Sequence, residues 1–258
     1  MAKRKKIVVV PDAEHVESAV YCGRFEEVMP TLPAECATLV MTSAPYGVGQ
    51  DYEPDIRFGV LLQLLNSAFR ETERVLRRGG YAVFNFGDLI PARDLLGTKE
   101  PCEMPMGWLY WAFGLGNGLV LQAQRVWQKE FAKITGGKHA ISAPRPVPEF
   151  EHLYTFRKTG GAPIQAMRNR KVSQRAVWST VGEPMIRSKH PAAFPPGLVR
   201  RALEVYTDLG DLVIDPFAGG GTVGLVAESM GRRHVMIEKE PGYVDDIKER
   251  LAEARSTR

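Results

Sequence analysis

Asp215-Pro216-Phe217-Ala218-Gly219-Gly220-Gly221-Thr222 stands between a short apolar run, residues 212–215, that reads as a strand, and residues 221–230, which read as the opening of a helix. A strand that turns through glycines into a helix marks a ligand-binding α/β sheet. Glycine reaches backbone angles closed to other residues, and without a Cβ it lets a ligand approach the N–H groups at the helix start. The spacing Gly219-x-Gly221-x-x-Gly224 fits the dinucleotide pattern, and Glu238 ends the next strand, residues 234–238, where an acid can hydrogen-bond ribose hydroxyls. No lysine follows the glycines, which excludes a phosphate-cradling P-loop. Twenty residues follow Glu238, so the remaining strands are expected earlier in the chain, an awkward order for a nicotinamide oxidoreductase.

On either side of this turn, short apolar runs alternate with longer amphipathic ones, the pattern of an α/β sheet. Residues 37–42 read as a buried strand ending at Ser43-Ala44-Pro45-Tyr46. Residues 58–76 carry Phe58, Leu61, Leu62, Leu65, Phe69 and Leu76 at helical spacing, and Arg77-Arg78-Gly79-Gly80 reads as the end of that helix. Residues 81–86 read as a strand and 101–118 as a helix. Residues 119–127 and 151–157 read as two strands separated by a proline-rich connector, 143–148. Residues 160–187 are basic, with little apolar periodicity, and read as an inserted loop or small lobe. Residues 195–206 and 241–254 read as helices. No Pro/Gly/Ser linker divides the chain, so one domain over residues 1–258 is expected.

Composition narrows the class. The chain has 258 residues, 44% hydrophobic and 25% charged, with no apolar run near the roughly 18 residues that span a bilayer. Its three cysteines cannot make a paired framework, and none stands in a CxxC spacing, so neither a disulfide scaffold nor a metal site is expected. A cytoplasmic protein without membrane contacts is the expectation. The net charge of +4 is unevenly spread: residues 128–189 hold twelve Lys/Arg against four Asp/Glu. Such a stretch fits a surface that meets a polyanion, although a solvated lysine-rich loop carries the same charge.

Ser43-Ala44-Pro45-Tyr46 follows a buried strand, where open α/β sheets place their ligands. The serine hydroxyl and a backbone carbonyl can accept the two hydrogens of an amino group on a planar ring, while the tyrosine stacks on that ring.

The pair Thr42-Ser43-Ala44-Pro45-Tyr46 and Asp215 to Thr222 resembles the catalytic and cofactor motifs of the β-class amino-methyltransferases of DNA. These are AdoMet-dependent enzymes acting on N4 of cytosine or N6 of adenine, and in them the catalytic motif precedes the glycine motif, as here. Glu73-Arg74-Val75-Leu76 through Gly79-Gly80, the segment Glu151 to Phe156, Lys189-His190-Pro191-Ala192-Ala193-Phe194-Pro195, and Gly231-Arg232 to Glu238 with Tyr243 and Arg250-Leu251 resemble further family segments in the same order. The resemblance implies a Rossmann-like AdoMet-dependent methyltransferase fold, α/β, with a mostly parallel seven-stranded sheet in circularly permuted motif order.

It also implies roles. Ser43 and the Ala44 carbonyl would accept hydrogen bonds from the target amino group, Pro45 would fix the turn, and Tyr46 would stack on a base flipped out of the duplex. Asp215, Phe217, Gly219, Gly221 and Thr222 would surround S-adenosyl-L-methionine, Glu238 would take its ribose, and Lys189, His190 and Phe194 would close over it. Arg168, Arg170, Lys171 and Arg175 would contact double-stranded DNA from a target-recognition insert at about residues 160–187. A serine at the first catalytic position is associated in the family with N4 of cytosine. The alternatives are N6 of adenine and a catalytically impaired DNA-binding homologue. A homodimer and a cognate restriction endonuclease are partners that the resemblance allows.

Two positions depart from the family pattern. Ala44 replaces a usual proline, for which reduced preorganisation is expected. Arg24 stands where an acid is common, so adenine recognition would pass to backbone groups or to Glu26. Pro101-Cys102 resembles the nucleophile of cytosine C5 methyltransferases, whose glycine motif comes first. The order here is the reverse, and Cys102 is expected to be structural or incidental.

Overall fold

The computed structural model describes residues 16–45, 57–87, 89–91, 96–98, 103–129, 149–162, 172, 174–184 and 187–256. In chain order the elements are β1 (Ala19–Cys22), α1 (Phe25–Val28), a 3-10 turn (Met29–Thr31), β2 (Ala37–Ser43), α2 (Phe58–Val75), β3 (Leu76–Phe86), β4 (Leu89–Pro91), β5 (Glu103–Pro105), α3 (Gly107–Gly116), β6 (Leu119–Gln128), β7 (Phe150–Lys158), β8 (Val177–Ser179), α4 (Pro196–Tyr206), β9 (Leu212–Asp215), α5 (Thr222–Ser229), β10 (Arg233–Glu238) and α6 (Pro241–Ser256). Among the described residues eight strands form one sheet in the order β1-β10-β9-β2-β3-β7-β6-β8, and β4 pairs with β5 alone. β7 runs antiparallel to its neighbours, and every other pair in the large sheet is parallel. The mostly parallel α/β sheet therefore holds, with one strand more than the seven expected. Neither β1 nor β8 is marked by the sequence: β8 lies in residues 160–187, read as a loop, and at four and three residues both strands are too short for a periodicity signal.

Both faces of the sheet are covered, which is why the central strands are continuously apolar. On one face α2 contributes Leu61, Leu65 and Phe69, and the Phe69 ring stacks on Phe84 at 4.2 Å between centroids. On the other, Leu39, Met41, Val83 and Val213 meet Leu198, Ala202 and Leu203 of α4 and Val223 and Val226 of α5. The chain builds outward from β2 through β3 in one direction and from β9 through β10 in the other. The β2/β9 boundary is thus the topological switch point, where such sheets open a crevice at their carboxyl ends.

Two sequence expectations need correction. Helix α2 ends at Val75, and Arg77-Arg78-Gly79-Gly80 belongs to β3 instead of closing the helix. Leu76 already pairs with Ala37, and the register then slips before Leu39 meets Tyr81. Gly79 absorbs the slip with φ +83°, and a Cβ there would lie 2.1 Å from the carbonyl oxygen of Ala162. Gly79→Ala should therefore destabilise the fold by about 2–4 kcal/mol, left-handed strain plus a backbone clash, which a denaturant melt would measure. The helix read at 101–118 is confined to Gly107–Gly116, because β5 and Pro105 hold the preceding chain extended. The connector at 143–148 lies outside the described residues.

Candidate active site

The carboxyl ends of the parallel strands on either side of the switch point, with the amino end of the antiparallel β7, surround a cavity of about 500 Å³. One half is formed by the ends of β1, β9 and β10, through Gly23, Phe25, Asp215, Phe217, Gly219 and Glu238. The other is formed by the ends of β2, β3, β6 and β7, through Ser43, Ala44, Pro45, Asn85, Trp127, Lys129 and Glu151. The Thr42 hydroxyl joins the two, donating to Asp215 Oδ1 at 2.6 Å between adjacent strands.

Asp215 is buried, and the Phe217 N–H also donates to its Oδ1 at 3.1 Å. Burial pushes its pKa up to about 7; the Thr42 and Phe217 hydrogen bonds pull the other way, and the negative charge of Glu238 adds to the rise. Glu238 shapes the glycine turn: its Oε2 accepts the Gly219 N–H at 2.8 Å and its Oε1 the Glu240 N–H at 2.9 Å. A carboxylate has about four acceptor sites, so capacity remains for a ligand's hydroxyls.

In the turn, Gly219 and Gly221 have φ of +49° and +70°. A Cβ on Gly219 would come within 3.2 Å of the His190 ring, and one on Gly224 within 2.1 Å of Met236 Sδ, so the last glycine serves helix–strand packing. Residues 188–194 lie along the turn. His190 Nδ1 accepts the Ala192 N–H at 3.1 Å, which places the ring proton on Nε2, and burial lowers the pKa of His190. Its ring meets Tyr243 edge-on at 4.8 Å. The Thr222 hydroxyl donates to the Phe194 carbonyl at 3.1 Å, and the Phe194 ring meets Trp127 at 6.3 Å.

A family model for DNA methylases of the N6/N4 type matches residues 37–249. The chain belongs to that DNA methylase family. It is 31% identical to the Type II methyltransferase M.XycI of Xanthomonas campestris pv. cyanopsidis, over 91% of this chain and 87% of that one. It superposes with a TM-score of 0.70 on a DNA modification methylase of Thermus thermophilus complexed with S-adenosyl-L-methionine. That pair is 26% identical, over 92% of this chain and 94% of the other. The PvuII DNA methyltransferase, cytosine-N4-specific, shares the fold with a TM-score of 0.69 at 19% identity, over 93% and 92% of the two chains. The protein is thus a DNA amino-methyltransferase of the N4/N6 class, with AdoMet as cofactor and DNA as substrate.

The cavity suits AdoMet chemically. Among the described residues no Lys or Arg forms an ion pair with Asp215, so a buried acid faces the space where a cationic methyl donor can sit. Of the residues the sequence singled out for this methylase, the structure brings Ser43, Ala44, Pro45, Asp215, Phe217, Gly219, Thr222, Glu238, His190 and Phe194 to one cavity. It does not bring Gly221 or Lys189 to the lining. A Cβ on Gly221 would press on Ile247, so its positive φ serves the start of α5, and Lys189 is exposed while its N–H donates to Asp246.

Arg24, at the cavity, pairs with Glu26 at 3.0 Å. Arg175 is exposed and away from the lining. Tyr46, Cys102, Arg168, Arg170 and Lys171 lie outside the described residues. Asn85, Trp127, Lys129 and Glu151 also line the cavity, and no motif in the sequence marks them. An asparagine inside the apolar run 81–86 and a lysine just past the strand at 119–127 were the available signals. Among the described residues no helix is long and apolar enough to cross a membrane, and no cluster of metal-ligating side chains occurs.

Proposed function

We propose that this methylase transfers a methyl group to the exocyclic N4 of a cytosine flipped out of double-stranded DNA. The observation that carries the reading is the juxtaposition of Ser43 and Ala44, at the end of β2, with the glycine turn at the end of β9, over one cavity and linked by the Thr42–Asp215 hydrogen bond. AdoMet, when bound, supplies the electrophilic methyl. Ser43 Oγ and the Ala44 carbonyl accept the two amino hydrogens, aiming the nitrogen lone pair at that methyl and favouring the positive charge the nitrogen acquires. The new N–C bond forms as the methyl's bond to sulfur breaks, and one amino proton then leaves to water. Pro45 fixes the turn, and Tyr46 stacks on the base.

Asp215, Phe217, Gly219, Thr222 and Glu238 hold the cofactor beneath His190 and Phe194. Gly221 supports the turn and Lys189 anchors the covering segment through its backbone. Arg168, Arg170, Lys171 and Arg175 take DNA phosphates from an insert, residues 160–187, within a single catalytic domain. The Type II designation of the Xanthomonas relative supports a pairing with a restriction endonuclease. The choice of cytosine rests on the serine hydroxyl at position 43.

The test is to incubate the protein with labelled AdoMet and unmethylated DNA, digest to nucleosides and identify the product by mass. N4-methylcytosine is expected. N6-methyladenine would overturn the choice of base, and no methylated nucleoside would overturn the reading. Ser43→Ala should lower kcat about 10- to 100-fold, the loss of one acceptor for the amino hydrogens, with the affinity for AdoMet unchanged.

A further inference from the structure

Trp127, Lys129 and Glu151 form a wall of the cavity that none of the roles above uses. Trp127 lies opposite Glu151 in the β6–β7 ladder, and Lys129 follows two residues on, so their side chains share a face. That face also carries Ser43 and Asn85, paired across β2 and β3. Lys129 Nζ is bound to Glu151 Oε1 and sits 5.2 Å from the centroid of the Trp127 ring. The ring is fixed in turn by its Nε1–H donating to Thr180 Oγ1 at 2.8 Å. The Lys129 and Glu151 side chains are 24% and 15% exposed, and both line the cavity. Because the strand order puts this wall on the far side of Ser43 from Asp215 and Glu238, it borders the space left for the base, away from the cofactor acids.

We infer that Lys129 reads the target base by donating a hydrogen bond to the ring nitrogen beside its amino group, with Glu151 and Trp127 holding the ammonium in place. The inference rests on the proposed reaction and deepens it. Cytosine and adenine both present an amino donor next to an unprotonated ring nitrogen. Ser43 Oγ and the Ala44 carbonyl are engaged as acceptors of the amino hydrogens, so the neighbouring nitrogen needs a donor aimed at it from elsewhere on the cavity wall. An ammonium on the same sheet face supplies one and disfavours thymine, which presents an N–H there. Glu151 is a positioning residue: it fixes Lys129 and restrains its long side chain before the base arrives. A pair that only joined β6 to β7 would have no need to face the cavity.

The experiment compares duplexes carrying cytosine or 3-deazacytosine at the methylated position; 1-deazaadenine is used if the product proves to be N6-methyladenine. In the deaza bases a C–H replaces the ring nitrogen. For the wild-type enzyme the replacement should lower kcat/KM about 10- to 100-fold, the range for a hydrogen bond to a charged donor. Lys129→Met should lower kcat/KM on the natural base by a similar factor, keep its affinity for AdoMet, and show no further loss on the deaza base. Glu151→Gln should show a penalty of intermediate size, whereas a purely structural Glu151 would leave it at the wild-type value. If the losses from Lys129→Met and from the deaza base multiply, Lys129 does not touch the ring nitrogen and the inference falls while the proposed function stands. If the wild-type enzyme methylates no DNA base, the proposed function falls and takes this inference with it.

Discussion

Replacing Glu238 by alanine is expected to weaken AdoMet binding by at least about a hundredfold while leaving the sheet folded. Each hydrogen bond from a ribose hydroxyl to a carboxylate is worth about 1.5–3 kcal/mol, and two of them exceed a hundredfold. The truncation also removes the acceptor for the Gly219 N–H and for the Glu240 N–H, so the glycine turn loses an anchor at the point where the cofactor must approach backbone. Glu238→Gln separates the two effects. It keeps one acceptor oxygen, but its amide must face one of those two N–H donors, so its loss should lie between wild type and alanine. Calorimetric titration with AdoMet measures the affinities, and circular dichroism checks the fold. An alanine variant that stays folded and loses less than tenfold would move the ribose acceptor to another group, of which Glu240 is the nearest along the chain.

Glu238 was legible in the sequence because its position is tied to the backbone: it ends an apolar run shortly after a glycine turn, and both ends of that βαβ unit are fixed by local chemistry. The same holds for Ser43, which follows the apolar run 37–42, and for the order of the longer helices and strands around them. The other wall of the cavity was not legible. Trp127 and Lys129 come from the end of one strand and Glu151 from the start of the next. Pairing alone brings them together across a 21-residue gap in sequence that carries no spacing rule. The end of α2 misled for a related reason. Cations followed by two glycines satisfy a helix stop, yet Leu76 gains a strand partner in Ala37, and that tertiary pairing overrides the local preference. Gly221 matched the glycine pattern by type but faces Ile247, because a φ-permissive residue and a close-approach residue look alike until the neighbour is known.

AdoMet affinity should also fall about tenfold as the pH drops from 7 to 5.5, and Asp215→Asn should abolish most of that dependence. The Asp215 carboxyl, raised by burial to about 7, is progressively neutralised below that pH, and a neutral acid no longer attracts the cationic cofactor. His190, lowered by its own burial, gains a proton only further down and adds to the trend there, so the slope that survives in Asp215→Asn reports it. Stability should move the opposite way. A carboxyl whose folded pKa lies above its unfolded value of 3.8 opposes folding most above pH 7, and the penalty fades as the pH falls toward 4. Asparagine keeps an oxygen for the Thr42 hydroxyl and the Phe217 N–H, so Asp215→Asn should be more stable than wild type at pH 8 by up to about 4 kcal/mol, with the advantage gone near pH 4. Denaturant melts at the two pH values check it, and an equal advantage at both would refute a buried carboxylate as the cause. Because the charge of Glu238 contributes to the rise at Asp215, Glu238→Ala should shift the midpoint of the stability profile to lower pH. The buried acid that opposes folding near neutral pH is the group a positive cofactor relieves, which couples cofactor binding to the stability of the switch-point crevice.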